Sequence, residues 1–222
     1  GGYRGDGAFG QFCMVMPDLD AVIAITSESF CMQNSMNLVW EHLLPAMDKS
    51  KSVLKRDDVS TEILSTKLKA LHLNPPMLKM SSPIADRISG KQFILDTNEF
   101  HAKTIQLIFE RGLCNINVDF GVSKHHITCG INVWKEQKNE KKGTPFPVTG
   151  NSNVHSPIAG SATWSDENTL IITLRMMEGA HADGLTFLFS DNNATIKFHS
   201  SISQNNPNVT DKRQDLKGSY KV

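Results

Sequence analysis

Thr104-Ile105-Gln106-Leu107-Ile108-Phe109-Glu110, then Arg111-Gly112, then Cys114-Asn115-Ile116-Asn117-Val118-Asp119-Phe120 and Gly121-Val122, is the stretch that decides the fold. Apolar and polar residues alternate here at a spacing of two, which puts one row of side chains on each face of a strand. Each run ends in a glycine-containing pair that turns the chain. The two runs are predicted to form an antiparallel hairpin with one face on a core. If the next turn falls at Gly121-Val122, Cys114 faces Cys129 directly across the ladder.

The same period continues on both sides. Residues 91–96, 125–134, 160–164, 169–176, 185–190 and 195–199 read as further strands, with turns at Ser165-Asp166-Glu167-Asn168 and Asp191-Asn192-Asn193. That makes about eight short strands, which favours a closed barrel or a tight sandwich, because closure removes exposed ladder edges. The final stretch, 204–222, is polar and is predicted to fray or wrap loosely.

Upstream of the barrel the pattern changes. Phe12, Met14 and Met16 alternate with Gln11, Cys13 and Val15, so both faces suit an interior strand. Pro17-Asp18-Leu19-Asp20 turns the chain, and residues 21–26 return it as a second apolar strand. A helix follows with Met36, Val39, Trp40, Leu43, Leu44 and Met47 on one stripe, Ser35 as its N-cap, and Pro45 kinking or ending it near Leu44. Residues 49–58 read as a polar linker, and 60–71 as a shorter helix with Ile63, Leu64, Leu68 and Leu71 on one side. Asn74-Pro75-Pro76 stops that helix, and Ser81-Ser82-Pro83 introduces the change to strand period. The expected fold is α+β and mainly β: an N-terminal β-hairpin plus helices, then an antiparallel barrel or sandwich of roughly eight strands, lipocalin-like in kind. The expected units are 1–48, 49–84 and 85–222.

Composition sets limits on function. The chain has 222 residues, with 23 basic residues against 23 acidic ones, so no global field draws in nucleic acid or an anionic membrane. No run approaches the roughly twenty apolar residues that a membrane-spanning helix needs. The lysine-rich loop at 138–142 has Glu136 and Glu140 beside it and no interleaved aromatics, which argues against a nucleic-acid surface. The four cysteines include no Cys-x-x-Cys pair, so zinc and thioredoxin-like chemistry are not indicated. Cys114 and Cys129 are expected as buried free thiols, with a cross-strand disulfide the less common state. His125 and His126 are adjacent and point to opposite faces of a strand; His101, His155, His181 and His199 are scattered, and no metal site is expected. Trp134 and Trp164, with Phe109, Phe187 and Phe189, are expected to fill a barrel of this width and not to line a pocket in it.

Tyr3-Arg4-Gly5-Asp6-Gly7-Ala8-Phe9-Gly10, the two apolar strands around Pro17-Asp18 and the helix carrying Trp40, Glu41 and His42 resemble the C-terminal edge of a known catalytic domain. It belongs to serine β-lactamase-like hydrolases, the superfamily of class C β-lactamases, penicillin-binding proteins and esterases. Residues 88–91, Cys129-Gly130, Trp134 and the run 160–170 resemble the β-barrel appendage of the D-aminopeptidase type. The resemblance implies the C-terminal portion of a bacterial hydrolase that transfers an acyl group through a serine, with the barrel covering or shaping the parent's site. The missing N-terminal catalytic portion would be its partner, and its compartment, cytoplasmic or exported, would depend on that portion. The resemblance carries the oxyanion role over to the backbone N–H of Ala8 and substrate contacts to Arg4, Asp6 and Gly7. The family's Lys/His-x-Gly head falls on Gly5-Asp6-Gly7, so the cation is missing and Arg4 is a displaced substitute.

The family's acylation apparatus is absent. Ser52-Val53-Leu54-Lys55 has the Ser-x-x-Lys spacing but lies in the polar linker, where chance spacing is the better reading. Neither Tyr3 nor Tyr220 is followed two residues later by Asn. The chain alone is therefore expected to be inactive, with no cofactor. Read without the family, the glycines of the first run permit only a tight turn and close packing. Two other readings stay open: a non-catalytic β-barrel module that binds a small apolar ligand or a protein partner, and a purely structural docking element. The first hairpin and helix expose a strand edge and an apolar face, which predicts a homodimer through them or their re-docking on the chain's own barrel.

Overall fold

A computed structural model describes residues 1–47, 56–137, 144–146 and 157–221. The chain divides into two compact units, 1–73 and 74–222. The predicted Ser52-to-Lys55 motif, the 138–142 loop and His155 lie outside the described residues.

The first unit is built on a three-stranded antiparallel sheet in the order β1 (Tyr3–Gly7), β2 (Gln11–Met16), β3 (Ala21–Ile25). Residues 8–10 turn the chain between β1 and β2, with Phe9 at φ 63° and Gly10 at φ 82°. A Cβ on Gly10 would sit 2.4 Å from Ser27 Oγ, which itself lies 2.8 Å from the carbonyls of Phe9 and Gly10. Conformation and space both demand glycine at position 10. Helix α1 (Met32–Leu38) widens into a π turn over Val39–Leu43 and then narrows to a 3-10 turn over Leu44–Met47. Pro45 sits in that narrowed turn, as a residue without a backbone N–H should. The predicted N-cap at Ser35 is corrected: the helix begins four residues earlier, and Cys31 holds the cap position. Met36 and Val39 pack on Phe12 and Met14 to make a small core. Helix α2 (Asp58–Lys69) starts two residues before its predicted position because the Asp57 carboxylate accepts a hydrogen bond from Ser60 N at 3.0 Å. Its Ile63, Leu64 and Leu68, and Leu71 just beyond its end, are all exposed.

The second unit opens with α3 (Ile84–Ile88) and β4 (Gln92–Leu95). It continues with β5 (Thr104–Glu110), β6 (Leu113–Asp119), β7 (Lys124–Ile131) and β8 (Lys135–Gln137). The remaining elements are β9 (Ile158–Trp164), β10 (Thr169–Met176), β11 (Ala182–Ser190), β12 (Asn193–Ser200), α4 (Ser201–Asn205) and β13 (Leu216–Ser219). The ladder runs β4-β5-β6-β7-β9-β10-β11-β12-β13 and returns from β13 to β4, so nine strands close into a barrel. Among the described strands only the β7–β9 contact is parallel; β8 pairs with the N-terminal half of β9.

The register follows the sequence period. Ile105 and Leu107, Ile116 and Val118, Leu170, Ile172 and Leu174, and Phe187 and Phe189 all point into one continuous core. Cys114 stands opposite Cys129, and both are buried free thiols whose ionisation burial suppresses. The tail expectation for 204–222 is corrected. Leu216, Gly218 and Tyr220 are buried on alternate positions, and β13 joins β12 to β4 to complete the ring. Four residues with lysine and serine interleaved carry too weak an alternation to be read alone, and pairing on both sides supplies the stability.

A candidate ligand cleft at one end of the barrel

Aromatic side chains fill the barrel in two groups. At the end where α3 lies, Trp164 packs against Phe109 at a ring separation of 5.6 Å and against Phe189 at 6.0 Å, and Phe93 packs on Tyr220 at 5.1 Å. Phe187 stacks on Phe189 at 6.0 Å. These rings touch one another, so they form a packed plug. At the other end Phe100, Phe146 and Phe198 lie within 5.2–5.5 Å of each other, with Phe120 at 6.0 Å from Phe146.

Above the first plug lies a cleft of about 560 Å³. Its floor is Trp164 and Phe109, one wall is the segment Met80 to Asp86 leading into α3, and the other is Leu113 with Ile131. Local chemistry fixes each part. Lys79 pairs with Trp164 through two backbone hydrogen bonds of 3.0 Å, which holds the Met80 wall against β9. Ser82 Oγ donates to the Glu167 carbonyl and accepts from Ile84 N, so it is occupied at the start of α3. Ser89 Oγ accepts from Phe109 N at 3.0 Å and ties the end of α3 across β5. Arg111 at φ 49° and Gly112 at φ 76° make the tight two-residue β5–β6 turn that forms the rim. Exposed Met80 and half-buried Leu113 offer apolar surface at the mouth, and the carboxylates of Asp86 and Glu110 and the guanidinium of Arg111 sit at the edge. No histidine or lysine lines the cleft, so neither Ser81 nor Ser82 has such a base beside it.

The opposite end is sealed by an ion network. Arg213 donates to Asp183 at 2.6 and 2.9 Å, to Asp211 at 2.6 and 3.0 Å, and to the Phe146 carbonyl at 2.7 Å, which satisfies all five of its N–H groups. Its guanidinium lies 4.6 Å over the Phe198 ring, and Thr144 donates to Asp183 at 3.0 Å. The side chains of Arg213 and Asp183 are 5 % and 0 % exposed. Burial opposes ionisation of Asp211, but hydrogen bonds from Arg213 outweigh it and hold that carboxyl below the usual range. His199 is packed so closely on Gly184 that a Cβ there would lie 2.0 Å from its Nε2. Burial lowers the pKa of His199, with Asp183 pulling the other way, so the ring is neutral near pH 7.

The residues singled out in the first run take ordinary places in the hairpin. Arg4 and Asp6 pair with each other at 2.8 Å on β1, Gly7 ends that strand, and Ala8 is exposed in the turn. His126 bonds Asn117 and Thr128 at 2.7 and 3.2 Å. Among the described residues no group of three His, Cys, Asp or Glu side chains is placed to hold a metal, and no helix is long and apolar enough to cross a membrane. Sequence reading named Phe109 and Trp164 but missed the Met80-to-Asp86 wall, which has no period. It also missed Arg213, whose polar surroundings in the chain give no sign of burial.

No family model and no curated protein matches the chain. Solved structures similar to it include a fatty-acid-binding protein from Drosophila melanogaster brain tissue, at 12 % identity and a TM-score of 0.41, covering 60 % of this chain and 99 % of its own. Others are a Schistosoma mansoni fatty-acid-binding protein in complex with arachidonic acid (9 % identity, TM-score 0.41, 65 % and 99 % covered) and lipid binding protein 8 of Caenorhabditis elegans (9 % identity, TM-score 0.42, 64 % and 99 % covered). The resemblance to β-lactamase-like serine hydrolases and penicillin-binding proteins is corrected by these findings: no family model supports it, and the similar structures named here are lipid- and fatty-acid-binding proteins. Turn chemistry at Gly10 accounts for a glycine of the run that suggested it. The oxyanion role of Ala8 and the substrate contacts of Arg4, Asp6 and Gly7 came with that resemblance and have no other support.

Proposed function

We propose that the barrel unit is a non-catalytic module that binds a small apolar ligand in the cleft at its α3 end. The observation that carries this reading is the cleft itself: about 560 Å³, floored by Trp164 and Phe109 and walled by Met80, Leu113 and Ile131. Small-molecule sites are concave, mainly apolar and of roughly 300–1,000 Å³. The packed aromatics below the floor direct a ligand to the end of the barrel and away from its bore. A ligand that removes about 300 Å² of apolar surface from water gains roughly 7.5 kcal/mol. Association costs consume part of that gain, so affinity falls in the range of about 10 μM or weaker.

The test is a titration of the full chain with decanol, followed by tryptophan fluorescence and calorimetry. Saturable binding is expected, weakened at least tenfold (about 1.4 kcal/mol) by Leu113→Arg, which places a charge in the wall. Met80→Lys, at a position 69 % exposed, gives a second block that folding tolerates more readily. No saturable binding to the wild-type chain, or equal binding to wild type and both variants, overturns the reading.

A further inference from the structure

The edge of the small sheet carries a second message. In the order β1-β2-β3 both outer ladders lack a strand partner among the described residues. Proteins usually blunt such edges with lysine, proline or a bulge. Strand β3 has none of these: Ala21-Val22-Ile23-Ala24-Ile25 is uncharged and apolar throughout. Its side chains divide cleanly. Ile23 and Ile25 lean on the cluster of Phe12, Met14, Met36 and Val39, while Val22, 67 % exposed, and Ala24 face outward. Strand β1 has the opposite character, with Arg4, Asp6 and three glycines in or beside it. The outer backbone row of β3, unpaired with any strand among the described residues, suits an extended strand as its partner.

We infer that a second copy of this chain supplies that strand, the two β3 edges pairing antiparallel about a two-fold axis at Ile23. In that register Ile23 faces its own mate, Val22 faces the mate's Ala24, and Ala21 faces the mate's Ile25. Asp20, the charged residue at the start of the strand, then falls opposite the mate's Thr26, so no like charges meet. The pairing is isologous and closes at two copies. It makes one six-stranded sheet in which the isoleucine rows of the two copies run together on the helix-covered face. Five paired residues span about 17 Å, so the contact is smaller than a standard interface of roughly 1,600 Å². The dimer is therefore a concentration-dependent one.

Sedimentation velocity on the full chain between about 5 and 500 μM tests this, a range chosen for a sub-standard interface. A monomer–dimer equilibrium is expected. The double variant V22K/A24K sets lysines against lysines across the axis at two exposed positions. It should weaken the dimer at least tenfold, about 1.4 kcal/mol, within the range of two unfavourable cross-strand pairs. The variant V22E/A24K sets opposite charges across the same axis and should dimerise to within about threefold of wild type. Circular dichroism confirms that both variants fold. A wild-type chain that stays monomeric throughout, an open-ended series of oligomers, or equal dimerisation of the two variants each overturns the inference.

Discussion

The two units of this chain solve the same problem in opposite ways. The barrel returns its last strand to its first, so each of the nine ring strands has a neighbour on both sides and the interior is one apolar core of large side chains. Among the described residues the N-terminal sheet stops at three strands, leaves two ladders open, and buries a core of four residues under a single short helix. Closure satisfies backbone groups and excludes water at once, whereas an open sheet must borrow both services from elsewhere.

That contrast is best attacked first where the barrel is most committed. Arg213→Met leaves Asp183, with a fully buried side chain, and Asp211 without their cation. Removing one partner of a buried pair costs about 3–5 kcal/mol, because the remaining charge stays in a dry environment. Urea unfolding followed by near-ultraviolet circular dichroism should show a loss of that size in the barrel transition. A loss below about 1 kcal/mol would mean that the network is solvated and seals nothing.

Core truncation gives the next largest effect and compares the units directly. Phe187→Ala opens a cavity among Leu185, Phe189 and their neighbours in a ring that cannot collapse, and should cost about 3–5 kcal/mol. Met36→Ala, on the helix that covers the small sheet, should cost nearer 2 kcal/mol, since its cluster holds only four buried residues and can close around the gap. Equal losses from the two substitutions would remove the distinction between a closed core and an open one.

Much of this was legible from the residues and some was not. Strands such as Thr104–Glu110 and Thr169–Met176 announced themselves because one face is core and the other is water, so burial alternates with the sequence. Strand β9 is buried on both faces, and its small residues Gly160, Ser161 and Ala162 gave a less certain start. Strand β13 was missed because its two buried positions, Leu216 and Gly218, are separated by lysine, and only its neighbours make it a strand. The helix after β3 starts before its predicted position because its first turn, Met32-Gln33-Asn34-Ser35, carries polar residues outside the apolar stripe and Ser35 is itself a good N-cap residue. Of the cleft, the aromatic floor could be named from sequence, but its walls come from three distant segments that only the fold brings together. The Arg213 network had no signal, since a polar residue in a polar segment looks solvated until its partners are known.

Native-state hydrogen exchange, run dilute enough to keep the chain monomeric, tests the closed-against-open contrast most directly. The account predicts that amides of β4, β9, β10 and β13, the strands that complete the ring, exchange only through global unfolding of the barrel, while those of β1 and β3 exchange through local opening. Amides in β13 and β4 that exchange as fast as those in β3 would show that the ring does not close, and would contradict it.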